Sequence, residues 1–147
     1  MTFRFVHAAD LHLDSPFKGV RETEARVADV LRRATFKAYE RVIDLCVDRR
    51  VDALLVAGDV FDGADRSLAA QIQFVRGLER LHEGGIRAFI CHGNHDPLDG
   101  WGARLKMPPS VYQFGEHAEA VPVDPQSSAG PVVCGISYPT REIRSSL

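Results

Sequence analysis

Three apolar runs that each end in a cluster of polar side chains constrain the fold of this chain more than any other feature. Residues 3–8 (FRFVHA), 52–57 (DALLVA) and 86–91 (IRAFIC) each predict a β-strand. The second run is almost continuously apolar, which is typical of a strand buried on both faces of a parallel sheet. The runs lead into AADLHLD, AGDVFD and HGNHD. Acids and imidazoles are therefore expected where the buried strands end.

The segments between these runs have the apolar spacing of helices. Residues 24–49 carry apolar side chains at steps of three and four, and residues 68–81 repeat that spacing. Ser67 is a candidate N-cap for the second helix, and Gly84 and Gly85 end it. The order strand, helix, strand, helix, strand predicts an α/β fold with a parallel βαβαβ sheet and right-handed crossovers.

The chain after Pro97 is less regular. Loops are predicted at 101–109 and 125–130. Three short strands are predicted in the same region, at 111–114, 120–123 and 132–137. No internal repeat or low-complexity segment interrupts the sequence.

Composition excludes several classes of protein. At 147 residues, 45% hydrophobic and 26% charged, the chain has the size and composition of one soluble domain. Its net charge of -2 gives no global basic field for nucleic acid, and no apolar run approaches the ~20 residues of a membrane span. The odd set Cys46, Cys91 and Cys134 argues against a disulfide framework and predicts reduced, buried thiols in a cytoplasmic protein.

The polar clusters are expected to meet, because parallel strands deliver their carboxyl ends to one edge of the sheet. The residues brought there are Asp10, His12, Asp14, Asp59, Asp62, Asn94, His95 and Asp96. Grouped carboxylates repel one another unless protons or cations neutralise them. A mixed set of carboxylate, imidazole and amide oxygen suits a divalent ion such as Mn, Fe or Zn. Two ions would lie ~3.5–4 Å apart, with Asp59 as the candidate bridge.

Each motif taken alone has a plainer interpretation as a helix cap, a turn or a surface residue, and only the three together indicate a metal site. Asp62 is interpreted as a supporting carboxylate and Asp14 as a cap of the Ser15-Pro16 turn. A zinc site at CHGNH is disfavoured because the chain has no second thiol pair. The remaining histidines are placed outside the site, with His7 packed on its strand, His92 beside the motif, and His82 and His117 on the surface.

The stretches DLH, GDVFD and GNHD resemble the metallophosphoesterase (calcineurin-like) signature D-x-H, G-D-x-x-D, G-N-H-[DE]. Within that superfamily, FVHAADLHLDSPF resembles SbcD-type DNA repair exonucleases, and most closely their YhaO-type branch. The resemblance implies the βαβαβ start of a four-layer αββα sandwich. It makes residues 1–147 the N-terminal portion of a single nuclease domain.

The resemblance also implies ligands for two divalent metal ions, with manganese expected and iron or zinc as alternatives. Asp10 and His12 would bind the first ion, Asp59 would bridge both, and Asn94 would bind the second.

The catalytic roles implied by the resemblance fall on the last motif. His95 would protonate the leaving oxygen or stabilise charge on the phosphoryl group. Asp96 would orient His95 through a hydrogen bond.

One departure from the family pattern concerns the remaining metal ligands. The family has a later lone histidine and a G-H-x-H motif, whereas His117 is the single histidine after His95 in this chain. We therefore expect a truncated domain with an open site, which alone binds metal weakly and has little or no activity.

The function implied is hydrolysis of a phosphodiester, with DNA as substrate and an exonuclease of DNA repair as the expected enzyme. A phosphatase acting on a nucleotide or other phosphoester, and a non-catalytic scaffold of the same fold, remain alternatives. Lys18 and Arg21 are candidates for a basic groove beside the site, or else ordinary solvated charges. The resemblance further implies a coiled-coil ATPase partner and a homodimer, both through regions beyond this chain.

Overall fold

The computed structural model describes residues 2–15, 25–63, 67–100, 105–127 and 129–142. Lys18 and Arg21 lie outside the described residues, and so do Pro16 of the predicted Asp14-capped turn and part of the predicted 101–109 loop.

The described chain forms two long helices and six strands in the predicted order. Both helices and all predicted strands are confirmed, with ends within two residues of the prediction. The elements are β1 (Phe5–Ala8), α1 (Ala25–Arg49), β2 (Ala53–Ala57), α2 (Leu68–Glu83), β3 (Arg87–Cys91), a short 3-10 helix (Leu98–Gly100), β4 (Val111–Gln113), β5 (Glu119–Pro122) and β6 (Val132–Gly135). Ser67 caps α2 as predicted, since its side chain accepts a hydrogen bond from the amide of Ala70.

The main sheet is parallel throughout, with the strand order β1-β2-β3-β4. Ala8 at the end of β1 lies opposite Val56, and Ala57 at the end of β2 lies opposite Cys91. The carboxyl ends of the first three strands therefore lie side by side at one edge. This confirms the predicted α/β class.

The helices α1 and α2, called here the helix layer, pack on one face of the main sheet. Buried side chains of both helices, such as Ile43 and Phe74, form one core with Leu54 and Ile90 of the sheet. Burying each large apolar side chain contributes roughly 1.5–3 kcal/mol. This core fixes the sheet and, with it, the positions of the strand ends.

The other face of the sheet is covered by the antiparallel hairpin β5-β6. A second core forms there around Phe89, Phe114 and Val123. Arg87 fastens the hairpin, because its guanidinium donates to the carbonyls of Pro122 (2.6 Å) and Val123 (2.8 Å) and lies over the Phe89 ring. The described elements thus stack as helices, sheet and hairpin.

The three thiols differ in their surroundings, and the prediction that all are buried is wrong. Cys46 is fully buried and burial raises its pKa to about 11, while Cys91 is half-buried with a raised pKa. Cys134 is exposed, because side chains alternate along β6 and the neighbouring Val133 takes the inward position. All three cysteines are free.

Within the described part of the chain, no helix combines the length and the apolar character needed to cross a membrane.

Candidate metal centre

The segments that follow β1, β2 and β3 form a polar rim, defined here as residues 9–15, 58–63 and 92–96. Backbone pairing between the first two segments continues past the strands. The amide of Asp10 donates to the Gly58 carbonyl (3.2 Å), and the amide of His12 donates to the Asp59 carbonyl (3.0 Å). The D-x-H motif is therefore held directly beside the G-D motif.

Two glycines let the third segment approach the second. Gly58 has φ +77°, a left-handed conformation that glycine adopts without steric cost. A Cβ placed on Gly58 would lie 3.0 Å from the Cα of Gly93, closer than side chains pack. The amide of Gly58 donates to the Cys91 carbonyl and that of Gly63 to the His95 carbonyl. Gly58 and Gly93 are thus both required by the close contact between the backbones of these two segments.

Asp10, His12 and Asp59 converge, as predicted. One ligand atom from each lies within 4.8 Å of the others. Asp10 is exposed, while His12 and Asp59 are half-buried, so the group faces solvent. Two carboxylates and an imidazole at this separation form a donor set that fits a divalent cation.

The backbone of these three residues is strained. Their φ angles are 53°, 42° and 52° for Asp10, His12 and Asp59, all in the left-handed region that side chains rarely adopt. Such conformations cost about 1–3 kcal/mol each and concentrate at functional sites. Asp and His adopt this region more often than other side chains do, but three such residues in two adjoining segments still mark the rim as a candidate functional site.

Asp62 joins two histidines of the rim. Its Oδ1 lies 3.1 Å from Nδ1 of His12 and 2.9 Å from Nδ1 of His95. The two imidazole rings meet edge to face, with centroids 5.3 Å apart. The hydroxyl of Ser15 donates to the other Asp62 oxygen. Asp62, predicted as a support, thus contacts three side chains, and Ser15 is a member of the site that sequence patterns did not reveal.

The contacts of Asp62 indicate which ring nitrogen of each imidazole carries a proton. Burial raises the pKa of Asp62, but the Ser15 hydroxyl and the His12 and His95 imidazoles lower it more, so that the net pKa is below its usual value. An ionised carboxylate only accepts hydrogen bonds. We therefore assign a proton to Nδ1 of each histidine, which leaves Nε2 of each ring for a ligand or a substrate.

Asp96 is fully buried, and its carboxylate binds backbone amides. Oδ1 accepts from Asp59 (3.1 Å) and Gly93 (2.8 Å), and Oδ2 accepts from Val60 (2.9 Å). Burial raises the pKa of Asp96, and the amide hydrogen bonds oppose that effect because they favour the ionised form.

The prediction that Asp96 orients His95 is wrong. Asp62 makes the carboxylate contact to the His95 ring, whereas Asp96 turns away from that ring and into the core. The physical reason is the backbone turn at 94–96, which points consecutive side chains in different directions. Residue spacing alone does not give this turn.

The other predicted residues lie in or near the rim. Asp14 and His92 belong to neither of the two groups of acidic and histidine side chains that could hold a metal ion, Asp10–His12–Asp59 and His12–Asp62–His95. Asn94 is exposed, between Gly93 and His95. His92 is buried and contacts the Asp96 carbonyl through Nδ1, which supports its exclusion from the site. The amide of Asp14 donates to the Thr35 hydroxyl.

The histidines away from the rim are exposed. This confirms the prediction for His82 and His117. The prediction that His7 is packed is wrong, because side chains alternate along β1 and His7 takes an exposed position while Val6 and Ala8 are half-buried.

Residues 3–134 match the family model for calcineurin-like phosphoesterases. The chain belongs to the calcineurin-like phosphoesterase family. The mixed α/β structure, with its parallel sheet and helices, agrees with a domain of this family.

Several curated members of the family are similar over most of the chain. The uncharacterized metallophosphoesterase YhaO of Bacillus subtilis is 42% identical over 118 residues, which cover 80% of this chain and 28% of YhaO. A subunit of the nuclease SbcCD of Rhodobacter capsulatus is 34% identical over 125 residues, 78% of this chain and 26% of the relative. The DNA double-strand break repair protein Mre11 of Methanosarcina mazei is 38% identical over 93 residues, 63% of this chain and 14% of that protein. The chain thus spans less than a third of the length of these relatives.

Membership of this family implies divalent metal ions, and the rim fits them. Its carboxylate oxygens and imidazole nitrogens are the ligand types that such ions take in proteins.

Proposed function

We propose that this chain carries an N-terminal part of the two-metal site of a phosphodiester hydrolase that acts on DNA ends. The observation that supports it most directly is the convergence of Asp10, His12 and Asp59, whose ligand atoms lie within 4.8 Å of one another on two adjoining loops. The metal expected is manganese, with iron or zinc as alternatives, and two ions are proposed.

The proposed ligands are Asp10 and His12 for the first ion, Asp59 for both, and Asn94 for the second. The proton on Nδ1 of His12 is donated to Asp62, so Nε2 would be the ligand atom. One oxygen of Asp59 accepts from the His95 amide at 2.9 Å, which fixes the direction in which the other oxygen points.

His95 is proposed as the general acid. Its Nδ1 proton is held by Asp62, so that Nε2 can carry a second proton and deliver it to the leaving oxygen. When bound, the ions would activate water and neutralise charge on the phosphate.

DNA is proposed as the substrate because of the relatives. One of them is part of a nuclease and another is a DNA double-strand break repair protein. Similarity to one subunit of a nuclease also supports the proposal that a second protein joins this one. The coiled-coil ATPase, the homodimer and the cytoplasmic location stay predictions.

The test measures manganese-dependent hydrolysis of a bis-aryl phosphodiester, an aryl phosphomonoester and DNA ends by the full chain and by His95→Ala. The matched control is His82→Ala, which removes an exposed histidine from the end of α2, at the opposite edge of the sheet. Loss of the general acid should lower the rate about 10²–10⁴-fold. Manganese affinity should change little, and His82→Ala should behave as the parent chain.

Three outcomes would overturn the proposal. Hydrolysis that survives in His95→Ala would remove His95 from the mechanism. Manganese binding without hydrolysis of any of these substrates, both by this chain and by a longer chain that carries the family's later histidine and G-H-x-H motif, would favour the non-catalytic scaffold. Cleavage of a phosphomonoester but not of DNA would replace the nuclease with a phosphatase.

A further inference from the structure

Asp96 is the side chain through which the second and third segments of the rim are tied together. It is fully buried, yet it belongs to neither group of candidate metal-ligating side chains. Its carboxylate accepts three backbone amide hydrogen bonds, two from residues 59 and 60 and one from Gly93. A charged acceptor makes such bonds roughly twice as strong as a neutral one.

The two segments also bind each other in the reverse direction. The amide of Asp59 donates to the Asp96 carboxylate, and the Asp59 carboxylate accepts from the amide of His95 at 2.9 Å. Each segment thus supplies a carboxylate to the backbone of the other. The main-chain position of Asp59 and the direction of its carboxylate are both fixed by this exchange.

We propose that Asp96 is a positioning residue that holds the Asp59 carboxylate and the backbone of residues 93–95 in their metal-binding arrangement before any ion arrives. This inference rests on the proposed function, because it takes Asp59 and Asn94 as metal ligands. Asp96 itself touches neither metal nor substrate. It acts through the backbone that carries those ligands and His95.

The three-donor arrangement requires a carboxylate. Oδ1 receives two amide protons and Oδ2 receives one, so neither oxygen can be replaced by a donor group. In Asp96→Asn the side-chain NH₂ would face at least one backbone N–H in either orientation of the amide. At least one buried donor would then lose its acceptor.

The main chain of Asp96 is held as well. Nδ1 of the buried His92 lies 3.0 Å from the Asp96 carbonyl, and the His92 amide donates to the buried hydroxyl of Ser137. The carboxylate is thus presented to the second segment by a backbone that is itself anchored.

The test compares Asp96→Asn with Tyr39→Phe in the full chain. Tyr39→Phe removes a buried hydrogen bond to the Phe74 carbonyl in the helix layer, far from the rim, and serves as the matched control for lost stability. Manganese affinity is measured by electron paramagnetic resonance, cobalt(II) coordination by its visible spectrum, and stability by thermal melting. Both variants should melt at lower temperature.

Asp96→Asn should bind manganese about 10–100-fold more weakly, as expected when the groups that orient metal ligands are changed. Its cobalt spectrum should also change shape, and Tyr39→Phe should match the parent chain in both measurements. If Asp96→Asn binds manganese within twofold of the parent chain, the inference is wrong while the proposed function stands. If the parent chain binds no manganese, the proposed function itself fails, and this inference fails with it.

A second measurement applies even where Asp96→Asn does not fold. In the metal-free parent chain, hydrogen exchange at the amides of Asp59, Val60 and Gly93 should be slow, because these groups are already bound to Asp96. Fast exchange at all three amides, beside slow exchange in β2 and β3, would show that the hydrogen bonds to Asp96 do not form before metal binding.

Discussion

The rim and the helix layer are held together by different kinds of contact. In the helix layer, apolar side chains such as Ile43 and Phe74 pack in a continuous core. In the rim, buried or half-buried carboxylates bind backbone amides and imidazoles. Left-handed backbone at non-glycine residues is also concentrated in the rim: Asp10, His12, Asp14 and Asp59. A core tolerates changes that preserve its volume, whereas the rim depends on the particular atoms that donate and accept.

Two glycines allow a matched comparison of these regions. Both are buried, and in both a Cβ would collide with a neighbour. At Gly93 the neighbour includes the backbone nitrogen of Asp59, at 2.7 Å. At Gly77 it is the ring of Tyr39, with Cε1 at 2.6 Å. The same substitution therefore disturbs a candidate metal ligand in one region and an aromatic side chain in the other.

Gly93→Ala should have the largest effect. Because the new methyl group meets backbone that cannot move without displacing Asp59, we expect about 3 kcal/mol of lost stability. Manganese binding should fall below detection. Thermal melting and manganese titration by electron paramagnetic resonance test this, and unchanged manganese affinity would mean that the rim is more adaptable than its contacts indicate.

Gly77→Ala should have an intermediate effect confined to stability. Displacing Tyr39 strains its hydrogen bond to the Phe74 carbonyl (2.8 Å), but alanine recovers up to about 1 kcal/mol of helix propensity. The net loss should be about 1–2 kcal/mol. Denaturant unfolding measures that loss, and manganese affinity should equal that of the parent chain. A weakened metal site here would show that the two regions are coupled.

Tyr112→Phe should have the smallest effect. It tests whether a polar contact outside the rim contributes to stability. The Tyr112 hydroxyl donates to Glu119 at 2.5 Å, and with the Gly115 amide it lowers the pKa of Glu119 below 4.5. A carboxylate with a lowered pKa contributes stability above the unfolded pKa, and this is lost as pH falls through the folded pKa. Tyr112→Phe should therefore be slightly less stable at pH 7, and the difference should disappear well below pH 4.5.

Unfolding curves of Tyr112→Phe and the parent chain between pH 3 and pH 7 measure this difference. A gap between them that stayed constant over that range would assign the effect to packing of the ring instead of to the charge of Glu119.

The order of elements and the place of the site were determined by the sequence alone. Apolar periods of two and of three to four residues encode which faces of strands and helices are buried, so β1 to β3 and both helices followed from them. Parallel pairing then required the D-x-H and G-D motifs to meet, as Asp10, His12 and Asp59 do.

Only the tertiary structure decided which atoms those motifs bind. Asp96 accepts amides from residues 36 and 37 positions earlier, and Asp62 receives Ser15 from 47 positions away. The exposure of Cys134 and His7 likewise depends on which elements pack over β6 and β1. Periodicity specifies which face of an element is buried, but it carries no information about which distant side chain lies opposite. The pairing of distant side chains is determined by how the loops pack against one another and by the backbone turns that set the direction of each side chain.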